Sequence, residues 1–500
     1  MIAGDRKAPR VRSPRLGWQA LKWNYLGNFM RSLSQFVIGI LLARLLGPEP
    51  FGIIAIAWMM LGIGNLFADL GFGAALVQRE RLSNLDLRFI FTCQMAFASL
   101  LTVSTLAAAP AIAAYFHKPD GAPVIQAMSL LFVFQCLGET SAAVLRRSLN
   151  FKALQQVAIV SYLAGYLCAG LPLAWYGAGV WSLVVAQLLQ SLLNSVLLIR
   201  LTAVPLAPCL RRDAHDMLSF GLKVTAANLS SWGISNLDVF CIGRAFGVVN
   251  LGLYNRALNL MNAPMSVITA GFQGVLFAAC SRAQSDRQQV KRIYLETNAG
   301  VAMLCLPLFA TAAVVPDTLI QAVYGKAWQS SVPLVTPLAL AVMVNALLAI
   351  KGPILMAGNR VGLELKNQLI TLLLFVPALF LAVQVSLQAV AWAVFGTYVV
   401  RWLLLAIDTL RVTGATLAEY VRTFRDPVLV GVLVAAVAAS TDAVLASLAP
   451  LARLVAVAAA CGLALAGLLR LLGGRFLKQN LATLVAVERL SSPLRRFLNV

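Results

Sequence analysis

Residues 43–54 read ARLLGPEPFGII, and residues 243–254 read GRAFGVVNLGLY. The two segments align without gaps at an offset of 200 residues. One arginine and two glycines coincide, namely Arg44 with Arg244, Gly47 with Gly247, and Gly52 with Gly252. The same offset places Asn28 on Asn228 upstream and the Gly-Phe pair at 71–72 on the pair at 271–272. Glycine is chosen where turn geometry restricts other residues, so these matches indicate an internal repeat.

The composition around this repeat is that of a membrane protein. The chain is 60% hydrophobic and 12% charged, with a mean hydropathy of +0.82, whereas soluble chains carry about 25% charged residues. A helical span needs roughly 20 apolar residues. We predict fourteen spans, at about 23–42, 51–76, 89–109, 124–143, 156–174, 179–199, 217–242, 253–279, 293–315, 333–350, 363–384, 388–408, 427–447 and 450–472.

The repeat and the spans together predict an all-α, polytopic architecture. The offset covers six helices, an even number, so both copies keep the same orientation in the membrane. We therefore expect two parallel six-helix lobes around a central cavity, plus two extra C-terminal helices. The expected segments are a basic N-tail (1–22), an N-lobe (23–200), a linker (201–216), a C-lobe (217–410), the last two spans (411–472) and a basic C-tail (473–500).

Positive charge lies mainly on one side of these spans. Of the 40 Lys and Arg, 31 lie in or at the ends of the tails and the even-numbered connections. The odd-numbered loops hold only Arg44, Lys118, Arg244 and Lys326. Because cytoplasmic loops accumulate Lys and Arg, we expect both termini in the cytoplasm. The net charge of +21 borders the spans, where anionic lipids attract cations, so the pattern favours membrane lipids over nucleic acid.

Several chemical classes are disfavoured by the residue inventory. The eight cysteines include no CxxC pair, and there are only two histidines. We therefore expect no metal site, no disulfide and no cofactor. The short outward loops carry only scattered acids, with no Ser/His/Asp set and no nucleotide cradle, which argues against an enzyme.

Polar residues inside the spans are the candidate site. In the first span Asn28, Arg31 and Gln35 share one helical face, and the repeat places Asn228 on Asn28. Such residues are costly in lipid and usually face the interior. The candidate cavity residues are Arg31, Asn28, Gln35, Asn228, Lys223, Arg256 and Asn259. Hydrogen bonding between helices is the alternative for the amides, and snorkelling for Lys223 and Arg256.

The acidic residues inside the spans have two interpretations. Asp238 and Asp69 are candidates for coupling to protons or sodium ions. Asp238 has a second interpretation as the partner of a cation such as Arg244. Arg401 and Asp408, seven residues apart in one span, are expected to pair with each other.

Four segments resemble a known family. They are LARLLGPEPFGIIAIA at 42–57, FADLGFGAALVQR at 67–79, LRRSLNFKAL at 145–154, and SNLDVFCIGRAFGVVNLGLYNRA at 235–257. In order and spacing they are similar to the Wzx-type polysaccharide and lipopolysaccharide flippases of the multidrug, oligosaccharidyl-lipid, polysaccharide (MOP) superfamily. The resemblance covers the first twelve spans.

The resemblance implies a cargo and a mechanism. The cargo is an oligosaccharide repeat unit on undecaprenyl diphosphate, moved across the bacterial inner membrane by alternating access, for exopolysaccharide, O-antigen or capsule. The implied partners are a polysaccharide polymerase and a chain-length regulator. Arg31, Lys223 and Arg256 are the residues that would meet the diphosphate.

A multidrug or cation antiporter of the same superfamily is the alternative. Cations outnumber acids inside the spans, and an antiporter for cations would favour an anionic cavity. The charge balance therefore favours the flippase.

Overall fold

The computed structural model describes residues 6–7, 14–69, 81–82, 84–202, 209, 215–283, 286–357 and 360–480. The chain divides into two compact units, Met1–Asn255 (unit 1) and Arg256–Val500 (unit 2). The division falls within one long helix, His215–Arg282.

Unit 1 is built mainly of helices. They are α1 Pro14–Leu46, α2 Pro48–Asp69, α3 Asn84–Tyr115, α4 Ala122–Arg147, α5 Phe151–Tyr162, α6 Leu171–Trp175, α7 Val180–Thr202 and the first part of α8, His215–Arg282. A π-helix, Leu163–Gly170, joins α5 to α6, and a 3₁₀ turn, Pro119–Gly121, precedes α4. Two short strands, β1 Arg6–Lys7 and β2 Arg81–Leu82, pair antiparallel.

Unit 2 continues the helical pattern. Its helices after α8 are α9 Arg287–Val314, α10 Pro316–Val323, α11 Val332–Leu348, α12 Lys351–Ala357, α13 Val361–Val383, α14 Leu387–Thr413, α15 Leu417–Val444 and α16 Pro450–Asn480. A 3₁₀ segment, Lys326–Ser331, precedes α11. Helix α15 packs along α9, and α16 packs against α15. The two helices outside the repeat are therefore part of the packed body of unit 2.

Local sequence explains where these helices begin and end. Gly47, with a φ of 69°, ends α1, and Pro48 opens α2, because glycine tolerates a positive φ and proline suits the first helical turn. At the equivalent repeat position Gly247 has a φ of 79° and interrupts α8. Asp286 caps α9, and Thr416 with Glu419 forms a capping box on α15. The turn signals in the sequence thus mark real helix ends.

The predicted all-α membrane architecture is confirmed. Twelve helices in the described residues are long and apolar enough to cross a membrane, and a shorter apolar helix covers Pro48–Gly62. One of the twelve, Trp232–Thr269, contains the non-helical Gly247. The prediction counts this stretch as two spans and the shorter helix as another. The count of fourteen and the two-lobe arrangement stay predictions.

Glycines of the repeat meet inside unit 1. A Cβ on Gly52 would meet the carbonyl of Val248, and a Cβ on Gly252 would meet the carbonyl of Pro48. The start of α2 and the helical segment 248–252, which directly follows the break at Gly247, therefore approach each other backbone to backbone. Phe51 and Leu251, beside these glycines, are buried. Only residues without a side chain permit this approach, which explains the glycine at both positions.

Candidate functional site

The polar face of α1 is largely accessible within unit 1. Asn28 and Gln35 are exposed, and Arg31 is half-buried. The side-chain oxygen of Asn28 accepts a hydrogen bond from Nε2 of Gln155 on α5, at 3.0 Å. Gln155 is itself buried. Asn28 therefore joins two helices, as the interhelical alternative predicted, while part of its side chain stays at the surface.

Arg31 differs from Arg401 and Arg453, two other arginines inside apolar helices. It forms no ion pair with a described residue. Arg401 instead donates to Glu364 at 3.1 Å, and Arg453 donates to Asp442 at 2.5 Å. A guanidinium stays charged at any physiological pH, so it requires an anion or water where lipid is near. Of these three arginines, Arg31 is the one without an ion pair among the described residues.

Helix α5 adds groups that sequence reasoning missed. Lys152 places its ammonium 5.1 Å from the ring centre of Trp23 on α1. A Cβ on Gly27 would meet the side chain of Gln155, so α1 and α5 are tightly apposed here. Lys152 and Gln155 are three residues apart and share a helical face. That spacing is the signal in the sequence that could have revealed them.

Asp238 lies in a closed environment. It is 4% exposed and accepts a hydrogen bond from the Tyr254 hydroxyl at 2.5 Å and another from the Val239 N–H at 2.9 Å. The expected partner Arg244 instead lies 5.1 Å from the ring centre of Tyr115. The predicted pairing of Asp238 with Arg244 is therefore wrong, because the Asp238 carboxylate accepts its hydrogen bonds from Tyr254 and Val239 instead. A role of Asp238 in ion coupling stays a prediction.

Two predicted site residues belong to unit 2. Arg256 is half-buried, and its carbonyl accepts a hydrogen bond from the Tyr324 hydroxyl at 3.4 Å. Asn259, three residues on, is exposed. For the other candidates, Asn228, Lys223 and Asp69, the backbone is helical, but the side chains lie outside the described residues. The roles of all these residues stay predictions.

The predicted pair of Arg401 and Asp408 does not form. Arg401 pairs with Glu364, and Asp408 accepts a hydrogen bond from Nδ2 of Asn367 at 2.8 Å. Two turns of helix separate residues seven apart by about 10 Å. Glu364 and Asn367, both on the neighbouring helix α13, reach across a shorter gap. Arg401 and Asp408 therefore each bind a residue on the neighbouring helix α13 and do not bind each other.

A charged groove of about 890 Å³ lies between α9 and α15 of unit 2. Ion pairs occupy much of its lining, with Lys291 bound to Glu419 at 2.6 Å and Arg292 bound to Glu296 at 2.8 Å. None of the predicted cavity residues lines it. Charged groups in this groove therefore pair with one another, and the groove is not the predicted site.

Between α3 and α4, Lys118 binds Glu49 in the first turn of α2, at 2.8 Å. Hydrogen bonding to this carboxylate and its negative charge raise the pKa of Lys118 above its ordinary value. Both side chains are substantially exposed, so the pair contributes little to stability.

Comparison with known proteins identifies the family. Residues 41–333, more than half of the chain, match the family model described as polysaccharide biosynthesis protein. The chain belongs to this family. The resemblance predicted from the four sequence segments is therefore confirmed.

Relatives and solved structures agree with this family. The chain is 25% identical over 436 residues to the teichuronic acid biosynthesis protein TuaB of Bacillus subtilis, covering 84% of this chain and 89% of that protein. It is 23% identical over 372 residues to the lipopolysaccharide biosynthesis protein WzxC of Escherichia coli, covering 73% and 75%. The fold is similar to the lipid II flippase MurJ in an inward closed conformation, with a TM-score of 0.70 at 11% identity over 90% of this chain and 98% of that one.

A multidrug transporter of the MATE family and the MOP superfamily, in its inward-facing conformation, also shares the fold. Its TM-score is 0.60 at 16% identity, over 77% of this chain and 96% of that one. This chain therefore shares its fold with both of these solved transporters.

Proposed function

We propose that this protein flips an oligosaccharide linked to undecaprenyl diphosphate across the bacterial inner membrane by alternating access. Family membership supports the link to polysaccharide synthesis. The relatives named above are assigned to lipopolysaccharide and teichuronic acid biosynthesis, and MurJ is named as a lipid II flippase. The product is an exopolysaccharide, an O-antigen or a capsule.

The observation that carries the proposal is the state of Arg31. This arginine lies on an accessible polar face of α1 beside the exposed Asn28 and Gln35, without an ion pair to a described residue. A diphosphate supplies oxygens for charge-assisted hydrogen bonds to a guanidinium. The half-exposed Arg31 therefore suits the anionic part of the cargo, and the neighbouring amides suit sugar hydroxyls.

Physical chemistry supports a sheltered polar path. Moving one sugar hydroxyl from water into a medium without hydrogen-bond partners costs about 4–8 kcal/mol. A path lined by amides and a guanidinium removes that cost for the head group, while the prenyl chain stays in lipid. A membrane potential that is negative inside also favours outward movement of an anion, by about 2.3 kcal/mol per charge per 100 mV.

The cytoplasmic placement of both termini belongs to the same proposal. The asymmetric distribution of Lys and Arg supports it. A polysaccharide polymerase and a chain-length regulator would act on the delivered repeat unit as partners.

The test is export by a deletion strain that carries variants of the protein. Arg31→Glu should lower export about ten- to a hundred-fold, because a charge-assisted hydrogen bond is replaced by repulsion. Undecaprenyl-linked repeat units should accumulate on the inner leaflet. Arg31→Lys should retain part of the activity, and Arg422→Glu, at an exposed arginine on α15, is the matched control.

Normal export by a well-expressed Arg31→Glu variant would refute the role of Arg31. The alternative antiporter predicts a different outcome. Under that hypothesis the deletion strain becomes sensitive to cationic drugs and the variant changes drug resistance. Under the flippase hypothesis drug resistance does not change.

A further inference from the structure

Lys351 is a fully buried cationic residue at a position where the sequence predicts a loop. It is 0% exposed and begins α12, directly after a break in helical structure at residues 349–350. Its Nζ lies 3.2 Å from the Tyr420 hydroxyl oxygen, 4.9 Å from the ring centre of Trp402 and 5.6 Å from that of Tyr420. The Tyr294 ring stacks on Tyr420 at 5.8 Å. We call these four residues the lysine box.

The lysine box joins four helices of unit 2. Tyr294 comes from α9, Lys351 from α12, Trp402 from α14 and Tyr420 from α15. Tyr294 and Tyr420 are among the largest fully buried side chains of the protein. A change of charge on Lys351 therefore acts on the packing of four helices at once.

Four carboxylates on the surrounding helices have other partners. They are Glu296 with Arg292 on α9, Glu364 on α13 with Arg401 on α14, Asp408 with Asn367 and Arg411, and Glu419 on α15 with Lys291 on α9. The titratable group in contact with Nζ is the phenol of Tyr420, and the phenol ring of Tyr294 stacks on that of Tyr420. Among the described residues none forms an ion pair with Lys351. Its charge is thus not fixed by a carboxylate.

The lysine box can hold Lys351 either as a charged ammonium or as a neutral amine. As an ammonium, Nζ donates to the Tyr420 oxygen, and the two ring faces attract the charge. As an amine, Nζ accepts a hydrogen bond from the Tyr420 hydroxyl without moving. An isolated buried charge is costly, whereas a neutral amine with one hydrogen bond is not. The two forms differ by one proton, and a proton can bind to Nζ without an open cavity beside it.

We propose that Lys351 and its aromatic box form a proton-binding site in unit 2 that couples proton movement to transport. Nζ releases one proton to water and keeps the electron pair of the broken N–H bond, and the Tyr420 hydroxyl then donates a hydrogen bond to this lone pair. Water is the only other reactant required. This inference rests on the proposed transport function for its coupling, but proton binding itself does not depend on the cargo.

Trp402 supplies a direct readout of the site. The purified full-length protein contains nine tryptophans, so the Trp402 signal is obtained as the fluorescence difference from the Trp402→Phe variant. We expect this signal to follow a one-proton transition with pH. Lys351→Met should abolish the transition, and Lys366→Met, at an exposed lysine on α13, should preserve it.

Two further variants keep the result decisive. Lys351→Arg retains the charge, so the Trp402 signal should stay at its protonated value at every pH, even if Lys351→Met does not fold. Tyr420→Phe should shift the transition without removing it. A flat wild-type signal, or a transition that persists in Lys351→Met, would overturn the proposal, as would a transition lost only in Tyr420→Phe.

The coupling is tested separately in proteoliposomes with a fluorescent undecaprenyl-diphosphate disaccharide as the probe. An imposed pH gradient should accelerate flipping by the wild type and by Lys366→Met, and Lys351→Met should lose this response. A response retained by Lys351→Met would overturn the coupling. Absence of flipping by the wild type would contradict the proposed cargo, and the Trp402 signal would still decide the proton site.

Discussion

The two units of this protein hold their helices together in different ways. In unit 1, glycines lie directly against neighbouring chain segments, with Gly27 on Gln155, Gly52 on Val248, Gly138 on Ser195 and Gly165 on Ala186. In unit 2, the space beside many glycines is open, and a Cβ added to Gly352, Gly396, Gly462 or Gly467 would meet no atom within 4 Å. Unit 2 instead joins neighbouring helices through charged pairs inside its apolar helices, such as Arg401 with Glu364 and Arg453 with Asp442.

The difference shows two solutions to one physical problem. Lipid tails are as apolar as leucine, so helices inside a bilayer gain little from hydrophobic burial against each other. They associate through close backbone approach or through polar contacts. The stability of unit 1 should therefore be sensitive to a methyl group added at a glycine. The stability of unit 2 should be sensitive to the removal of one residue of a charged pair.

The largest effect is expected for Gly252→Ala in unit 1. The new Cβ would collide with the carbonyl of Pro48, which should cost about 3 kcal/mol because backbone cannot move aside easily. Thermal unfolding of the purified protein should occur at a clearly lower temperature. Gly396→Ala in unit 2 is the control and should raise stability by about 0.5–1 kcal/mol. Equal melting temperatures for the two variants would remove the contrast between the units.

A second test is Tyr254→Phe, also in unit 1. It removes the hydroxyl that donates to the buried Asp238, and an unsatisfied buried acceptor costs about 1–3 kcal/mol. The melting temperature should fall, while Tyr176→Phe, at an exposed tyrosine, should leave it unchanged. An unchanged Tyr254→Phe variant would mean that polar contacts matter less in unit 1 than the geometry indicates.

A double-mutant cycle measures the charged pairs of unit 2. Asp442 binds Arg453 at 2.5 Å and also accepts a hydrogen bond from Thr318 at 2.6 Å, which ties α15 and α16 to α10. The variants Asp442→Asn, Arg453→Met and the double variant should give a coupling energy of about 0.5–1.5 kcal/mol. A coupling energy near zero would show that α16 is held by packing alone.

The smallest effect is expected for Lys118→Gln at the exposed pair of unit 1. The pKa of Lys118 is raised in the folded protein by Glu49. The stabilisation is therefore complete below the pKa of an unfolded lysine and is lost as pH rises through the folded value. The small difference in melting temperature between Lys118→Gln and the wild type should vanish at high pH. A difference that grows with pH would reverse the assigned sign.

Much of the fold is predictable because its signals are local. A run of apolar residues long enough to cross a bilayer predicts a helix, and glycine or proline predicts its end. Gly47 and Gly247 illustrate this, since both have a positive φ at matching repeat positions. The family resemblance is also detectable from the sequence, because it rests on four short segments in a fixed order and spacing.

The pairing of polar residues is not predictable to the same extent. Spacing along the helix pairs Arg401 with Asp408, but Arg401 binds Glu364 on α13. The charge pattern places Lys351 among the cytoplasmic loop charges, but this lysine is fully buried among aromatic rings. In both cases the partner lies on another helix, and sequence periodicity reports only which face of one helix a residue occupies.

The amino-acid sequence alone is enough to predict the membrane class, the helical architecture, the internal repeat, the family and the polar face of α1. Each of these depends on composition or on spacing along one helix. The three-dimensional structure is needed to show that Asp238 binds Tyr254, that Gly52 and Gly252 face opposing backbone, and that Lys351 has no carboxylate partner among the described residues. These contacts join residues far apart in the chain, and the distances between helices that create them are set by packing in three dimensions.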